Sequence, residues 1–120
     1  MKINIVTQGY KYNHILKGDI LIDARALINP FYRDDLKPLT GLDASVYKYI
    51  LKDEYTKKYL RSVLKYVKTY LGGMKKKKSE ITVLVMCTGG RHRSVFLATY
   101  LKDKLSTKYD VEIENVDINA

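Results

Sequence analysis

Residues 80–94, EITVLVMCTGGRHRS, run from an unbroken apolar stretch into the chain's only cysteine, Cys87. Thr88, two glycines, Arg91, His92, Arg93 and Ser94 follow it. The β-branched run Ile81 to Met86 has the composition of a central parallel strand covered on both faces. It is far too short to cross a bilayer. Residues 92–106 then take a helical period, with Val95, Ala98, Leu101 and Leu105 on one side. A last strand is expected in 109–118, YDVEIENVDI. Strand, helix and strand over 80–117 make a βαβ unit, for which a right-handed crossover is expected.

The chain before this unit fits the same plan. KINIVT at 2–7 alternates as a strand, and QGYKYN turns away from it. DILIDA at 19–24 reads as a second strand, apolar enough for burial on both faces. Both prolines fall in NPFYRDDLKPLTGLD, an ordered loop. Thr40 or Asp43 can cap a first helix over 44–52. A second helix is expected from Glu54 to Leu71, with Leu60, Val63, Leu64, Val67 and Leu71 in its core-facing stripe. Gly72 and Gly73 are expected to stop it. The prediction is one α/β domain over 1–120, three-layer-like, with a mostly parallel sheet and flanking helices.

Ligands of open α/β sheets gather where strand ends lead into helix N-termini. CTGGRHRS occupies such a place. Gly89 and Gly90 let backbone N–H groups approach a ligand, and Arg91 and Arg93 can grip phosphate oxygens. His92 changes charge near neutrality, and Thr88 and Ser94 add hydroxyls. An oxyanion cradle is the expectation. The spacing Cys87-x5-Arg93-Ser94 also matches the loop of cysteine-dependent phosphatases. There Cys87 would attack phosphorus, Arg93 would hold it and Asp43 or Asp23 would have to protonate the leaving group. Neither aspartate stands in a recognisable acid-loop context. The alternative for Cys87 is a small buried residue at a strand end, and that reading is preferred here. No catalytic residue, metal or cofactor is therefore predicted.

Composition agrees with a soluble domain: 46% of the 120 residues are hydrophobic and 29% charged. A single cysteine suits a reducing compartment, and MKINIVTQGY reads as a strand rather than a signal peptide. A cytoplasmic protein with no membrane partner is expected. The net charge of +9 favours polyanions. Lys75 to Lys78, with lysines 57, 58, 65 and 68, are the candidate RNA-binding residues, although a lysine run is usually just a solvated face.

Four motifs in register sharpen this picture: GYKYN at 9–13, IDARALINP at 22–30, PLTGLD at 38–43 and CTGGRHRS at 87–94. Together they resemble the C-terminal domain of the RapZ family of RNase adapters, from about Thr7 to Leu105. The resemblance implies a fold like a phosphofructokinase subdomain, sensing of glucosamine-6-phosphate and contact with small regulatory RNA. It implies binding rather than turnover. Carried over by position, the sugar-phosphate site would use Thr88, Gly89, Gly90, His92, Arg93 and Ser94. Asp23, Arg25 and Asn29 would line the same crevice, with Thr40, Gly41 and Asp43 from the next loop. Each has a plainer role: Arg25 in an internal pair with Asp23 or Asp43, and Thr40 or Asp43 as a helix cap. Tyr10, Lys11 and Tyr12 can contact a ligand or simply edge a strand.

The sequence departs from the family in three places. No G-x-x-x-x-G-K-[ST] occurs, so ATP hydrolysis is not expected, and the reading is of a stand-alone domain. Phe31 follows Asn29-Pro30 where some members carry a sugar-reading histidine. Asn115, Val116 and Asp117 stand in place of a basic tail. The expected partner is a phosphorylated sugar or nucleotide-like molecule; RNA and further copies of the chain, in a homo-oligomer, are additional candidates.

Overall fold

Alternation in KINIVTQG places Ile3, Ile5 and Thr7 on one face of a strand, all fully buried. Asn4 and Val6 on the other face are only half-buried. The same two-sidedness runs through the computed structural model, which describes residues 1–120. Four strands, β1 (Lys2–Gly9), β2 (Ile20–Asp23), β3 (Glu80–Cys87) and β4 (Asp110–Asn115), form one sheet in the order β2-β3-β1-β4. Every pairing is parallel. The helices are α1 (Ala44–Leu51), α2 (Glu54–Met74) and α3 (Arg93–Leu105).

Crossover direction explains where the layers lie. The β2→β3 and β3→β4 connections both move toward the β4 edge, whereas β1→β2 moves back toward the other. Right-handed crossovers moving in opposite directions use opposite faces of a sheet. Accordingly, Val46, Ile50, Leu60, Val67, Leu71, Phe96 and Leu101 from the three helices share one core with Ile3, Ile5, Ile22, Val83 and Val85. The 10–19 segment lies against the other face. There a Cβ on Gly18 would stand 2.7 Å from the Leu84 side chain, and Asp19 N–H donates to Thr82 O at 2.8 Å. The third layer is thus a loop rather than a helix. Each fully buried aliphatic side chain contributes about 1.5–3 kcal/mol over its exposed state.

Several expectations change in detail. β2 is an edge strand buried on one face only: Ile20 and Ile22 enter the core while Leu21 is 59% exposed. Gly72 and Gly73 do not stop α2, which continues to Met74. Neither takes the left-handed conformation that a glycine stop uses. Burial of Leu71 and the packing of Met74 outweigh the roughly 1 kcal/mol that each helical glycine costs. Residues Tyr10–Tyr12 form a 3-10 turn rather than a strand edge, and β4 ends at Asn115. No helix is long and apolar enough to cross a membrane.

Candidate functional site

The connections leaving β1 and β3 part to opposite faces, so the crevice between their carboxyl ends is the switch point of the sheet. CTGGRHRS closes over it. Gly90 has φ +74°, and a Cβ there would stand 2.7 Å from Gly9 N. A Cβ on Gly9 would stand 2.7 Å from the Gly89 carbonyl carbon. Only glycine at both positions lets the two strand ends approach so closely. Cys87 latches the turn from inside: its thiol donates to Ser94 Oγ at 3.2 Å, and its Sγ accepts Gly90 N–H at 3.3 Å. Cys87 is 2% exposed.

A cleft of about 310 Å³ opens in front of this turn, at the small end of the range for ligand pockets. Lys11, Arg91, His92 and Arg93 supply its basic lining; Asn29 and Thr88 are its polar residues. Phe31 and Tyr32 form an aromatic rim, and Cys87, Gly89 and Ala120 complete the lining. No Asp or Glu side chain lines it. The N-terminus of α3 adds the positive end of a 13-residue helix.

The basic side chains do not simply point at the opening. The Arg93 guanidinium, in a residue 6% exposed, donates from Nη1 to the carbonyls of Arg25 at 2.7 Å and Leu27 at 3.3 Å. Its Nη2 reaches Thr88 Oγ1 at 3.4 Å. His92 Nε2 donates to Leu39 O at 2.6 Å. Burial pushes the His92 imidazole below its ordinary value, more than the Leu39 hydrogen bond raises it, and Arg91 and Arg93 lower it further. The ring is therefore neutral at physiological pH. Arg91 donates to Ile118 O at 3.2 Å and Pro38 O at 3.1 Å. These cations clamp the segments around 25–27, 37–39 and 118 to the cradle while giving it their field. What faces the cleft unobstructed is Gly89, where an added Cβ would meet nothing within 4 Å, together with the exposed Thr88 and Lys11.

Other residues singled out by sequence stand around the cleft rather than in its lining. Asp23 pairs with Arg25 at 2.9 Å, both about half-exposed, and the guanidinium holds the Asp23 carboxyl below its usual range. Arg25 also lies 4.0 Å over the Tyr10 ring. Asp43 Oδ2 accepts Thr40 N–H at 2.8 Å, and Thr40 Oγ1 accepts Leu42 N–H at 3.2 Å. Gly41 N–H donates to Arg91 O at 2.8 Å, and a Cβ there would stand 2.5 Å from His92 O. PLTGLD braces the cradle from behind. Gly90 and Ser94 support it from within. Asn29 does line the cleft, but its Oδ1 accepts Phe31 N–H at 3.1 Å and so shapes the rim.

Sequence reasoning missed Asp117 as a support. Its buried carboxylate accepts Gly9 N–H at 2.8 Å and meets His14 Nε2 at 2.8 Å. Nothing in the local sequence marks that contact, made across more than a hundred residues. Tyr32 was also missed, although Asn-Pro is a recognisable turn opener that throws the next side chains outward. No group of three or more His, Cys, Asp or Glu is placed to hold a metal ion.

A family model described as the RapZ C-terminal domain matches residues 1–119. The chain belongs to the RapZ C-terminal domain family. A nucleotide-binding protein of Carboxydothermus hydrogenoformans is 42% identical over 120 residues, covering 98% of this chain and 42% of the relative. One from Lactobacillus acidophilus is 39% identical over 118 residues, covering 98% of this chain and 40% of the relative. Another, from Bacillus cytotoxicus, is 38% identical with the same coverage. The chain thus spans about two fifths of the length of these curated relatives, as a RapZ C-terminal domain.

Proposed function

We propose that this domain binds the phosphoryl group of a small metabolite at the β1–β3 switch point, without covalent chemistry. One observation carries the reading: the cleft has three cationic side chains, Lys11, Arg91 and Arg93, an unobstructed glycine turn, a helix N-terminus and no acidic side chain. Such a site favours an anion whatever the rest of the molecule is. Phosphorylated sugars of the glucosamine-6-phosphate kind and nucleotides are the ligand classes, and sensing or sequestering them is the role. The relatives' name, nucleotide-binding protein, agrees with a phosphate-bearing ligand.

Holding rather than cleaving is supported by the surroundings of Cys87. Its thiol is engaged inside the turn, and no Asp or Glu side chain lines the cleft to protonate a leaving group. Asp43 and Asp23 are tied to Thr40 and Arg25 instead.

Thermal melts with matched pairs, such as glucosamine-6-phosphate against glucosamine, test the reading. The phosphorylated partner alone should raise Tm, by linkage of RT ln(1 + [L]/Kd). No shift with any phosphorylated sugar or nucleotide would defeat it. Phosphate release from a phosphomonoester, abolished by Cys87→Ser, would replace holding with hydrolysis.

RNA contact is a second reading, favoured by the exposed lysines 57, 58, 65, 68 and 75–78 on and after α2. Lys75–Lys78 lead into the start of β3, whereas the cleft lies at its end, about 23 Å away for eight strand residues. RNA held there would be a separate ligand. Its affinity should fall with salt at a log–log slope of about −0.7 per phosphate neutralised.

A further inference from the structure

The cleft rim is built unlike its floor. Asn29 opens a 3-10 turn, Pro30–Tyr32, and Pro30 is buried beneath it. The next two side chains, Phe31 and Tyr32, are turned outward, 49% and 83% exposed, yet both line the cleft. Their rings meet edge to face, 6.0 Å apart at 86°, forming an open aromatic corner. Lys37 Nζ sits 4.3 Å from the Phe31 centroid, steadying that ring from one side. Two large rings left open to water beside an anion-binding turn call for a planar apolar partner.

Hydrogen-bonding capacity points the same way. A hexose presents several hydroxyl donors that need acceptors once water is displaced. No Asp or Glu side chain lines the cleft, and Asn29 Oδ1 already accepts Phe31 N–H. A nucleoside monophosphate brings only its two ribose hydroxyls, and its base needs chiefly a ring face to stack on. The volume, about 310 Å³, suits one nucleotide rather than two.

We propose that the ligand of this cleft is a nucleoside monophosphate, its base stacked on the Phe31–Tyr32 corner and its phosphate on the Thr88–Gly89 turn. The proposal rests on the phosphate-binding reading above and adds the substrate class and two specificity-determining residues.

Calorimetric titration with adenosine, guanosine, cytidine and uridine 5′-monophosphates tests it, against ribose 5-phosphate and glucosamine-6-phosphate. Ribose 5-phosphate keeps the sugar and phosphate but lacks the base. At least one nucleotide should bind roughly five- to hundred-fold more tightly than both base-free compounds, the range stacking on an aromatic side chain gives. Phe31→Ala and Tyr32→Ala, at exposed positions and checked for unchanged melting, should each narrow that preference. Base-free phosphates binding as well as every nucleotide would overturn the nucleotide assignment and leave phosphate binding intact. So would a preference unaltered in both variants. Binding by none of the six would overturn phosphate binding itself, and this proposal with it.

Discussion

Two stretches of this chain read almost alike: GGMKKKK at 72–78 and GGRHR at 89–93. Each is a glycine pair followed by cations, and the structure treats them oppositely. Gly72 and Gly73 ride on the solvent side of α2, where added Cβ atoms would meet nothing within 4 Å. Lys75 to Lys77 after them are exposed, and Lys78 reaches Asp19 at the surface. Gly90, by contrast, is buried at positive φ against Gly9, and Arg91, His92 and Arg93 each hold a backbone carbonyl from a distant segment. Positive charge is held in a fixed arrangement only where distant backbone is there to hold it. At the other end of the sheet it stays exposed on the surface.

Substitutions can break or sharpen that contrast. The largest effect is expected for Gly90→Ala, which meets both the φ of +74° and the 2.7 Å approach to Gly9 N. A loss of about 3 kcal/mol, or roughly 10 °C in Tm, should be seen in thermal melts. Next comes Arg93→Met, which leaves the carbonyls of Arg25 and Leu27 without their donor. About 2 kcal/mol should disappear from the urea unfolding free energy. Arg93→Lys should recover only part of it, since an ammonium lacks the planar fork.

Gly72→Ala should move the other way, stabilising α2 by about 0.5–1 kcal/mol, because the new methyl has room and the unfolded chain loses freedom. The pH effect is smaller again. The folded protein keeps His92 below its ordinary pKa, so the unfolded chain binds the proton more readily. The resulting stability is present above pH about 6.5 and declines as pH falls below that value toward the folded pKa. Melts between pH 7.5 and 5 should show that decline, and His92→Gln should flatten it. Changing Lys75, Lys76 and Lys77 to serine should shift stability by no more than about 0.5 kcal/mol. A large loss there would erase the contrast between the two stretches.

The fold was legible because its signals are local. Ile81 to Met86 could only be a buried strand, and the spacing of Leu60, Val67 and Leu71 could only be a helix stripe. The position of the cleft followed from a strand, a glycine turn and a helix in succession. The duties of its cations did not. Whether Arg93 grips a phosphate or the carbonyls of residues 25 and 27 depends on a loop more than sixty residues upstream. Likewise PLTGLD looked like cleft wall, yet Gly41 is required because it packs on the His92 carbonyl. The glycine pair at 72–73 misled for a related reason. A stop requires a left-handed residue, and burial of Leu71 on the preceding turn kept the helix going.

The carbonyl clamps of Arg91, His92 and Arg93 bear on how such a domain can diverge. Those side chains hold the architecture together, so exchanging them would jeopardise folding before it altered selectivity. Lys11, Phe31 and Tyr32 make no such clamp, so drift there can reshape the lining of the cleft while the frame stays put.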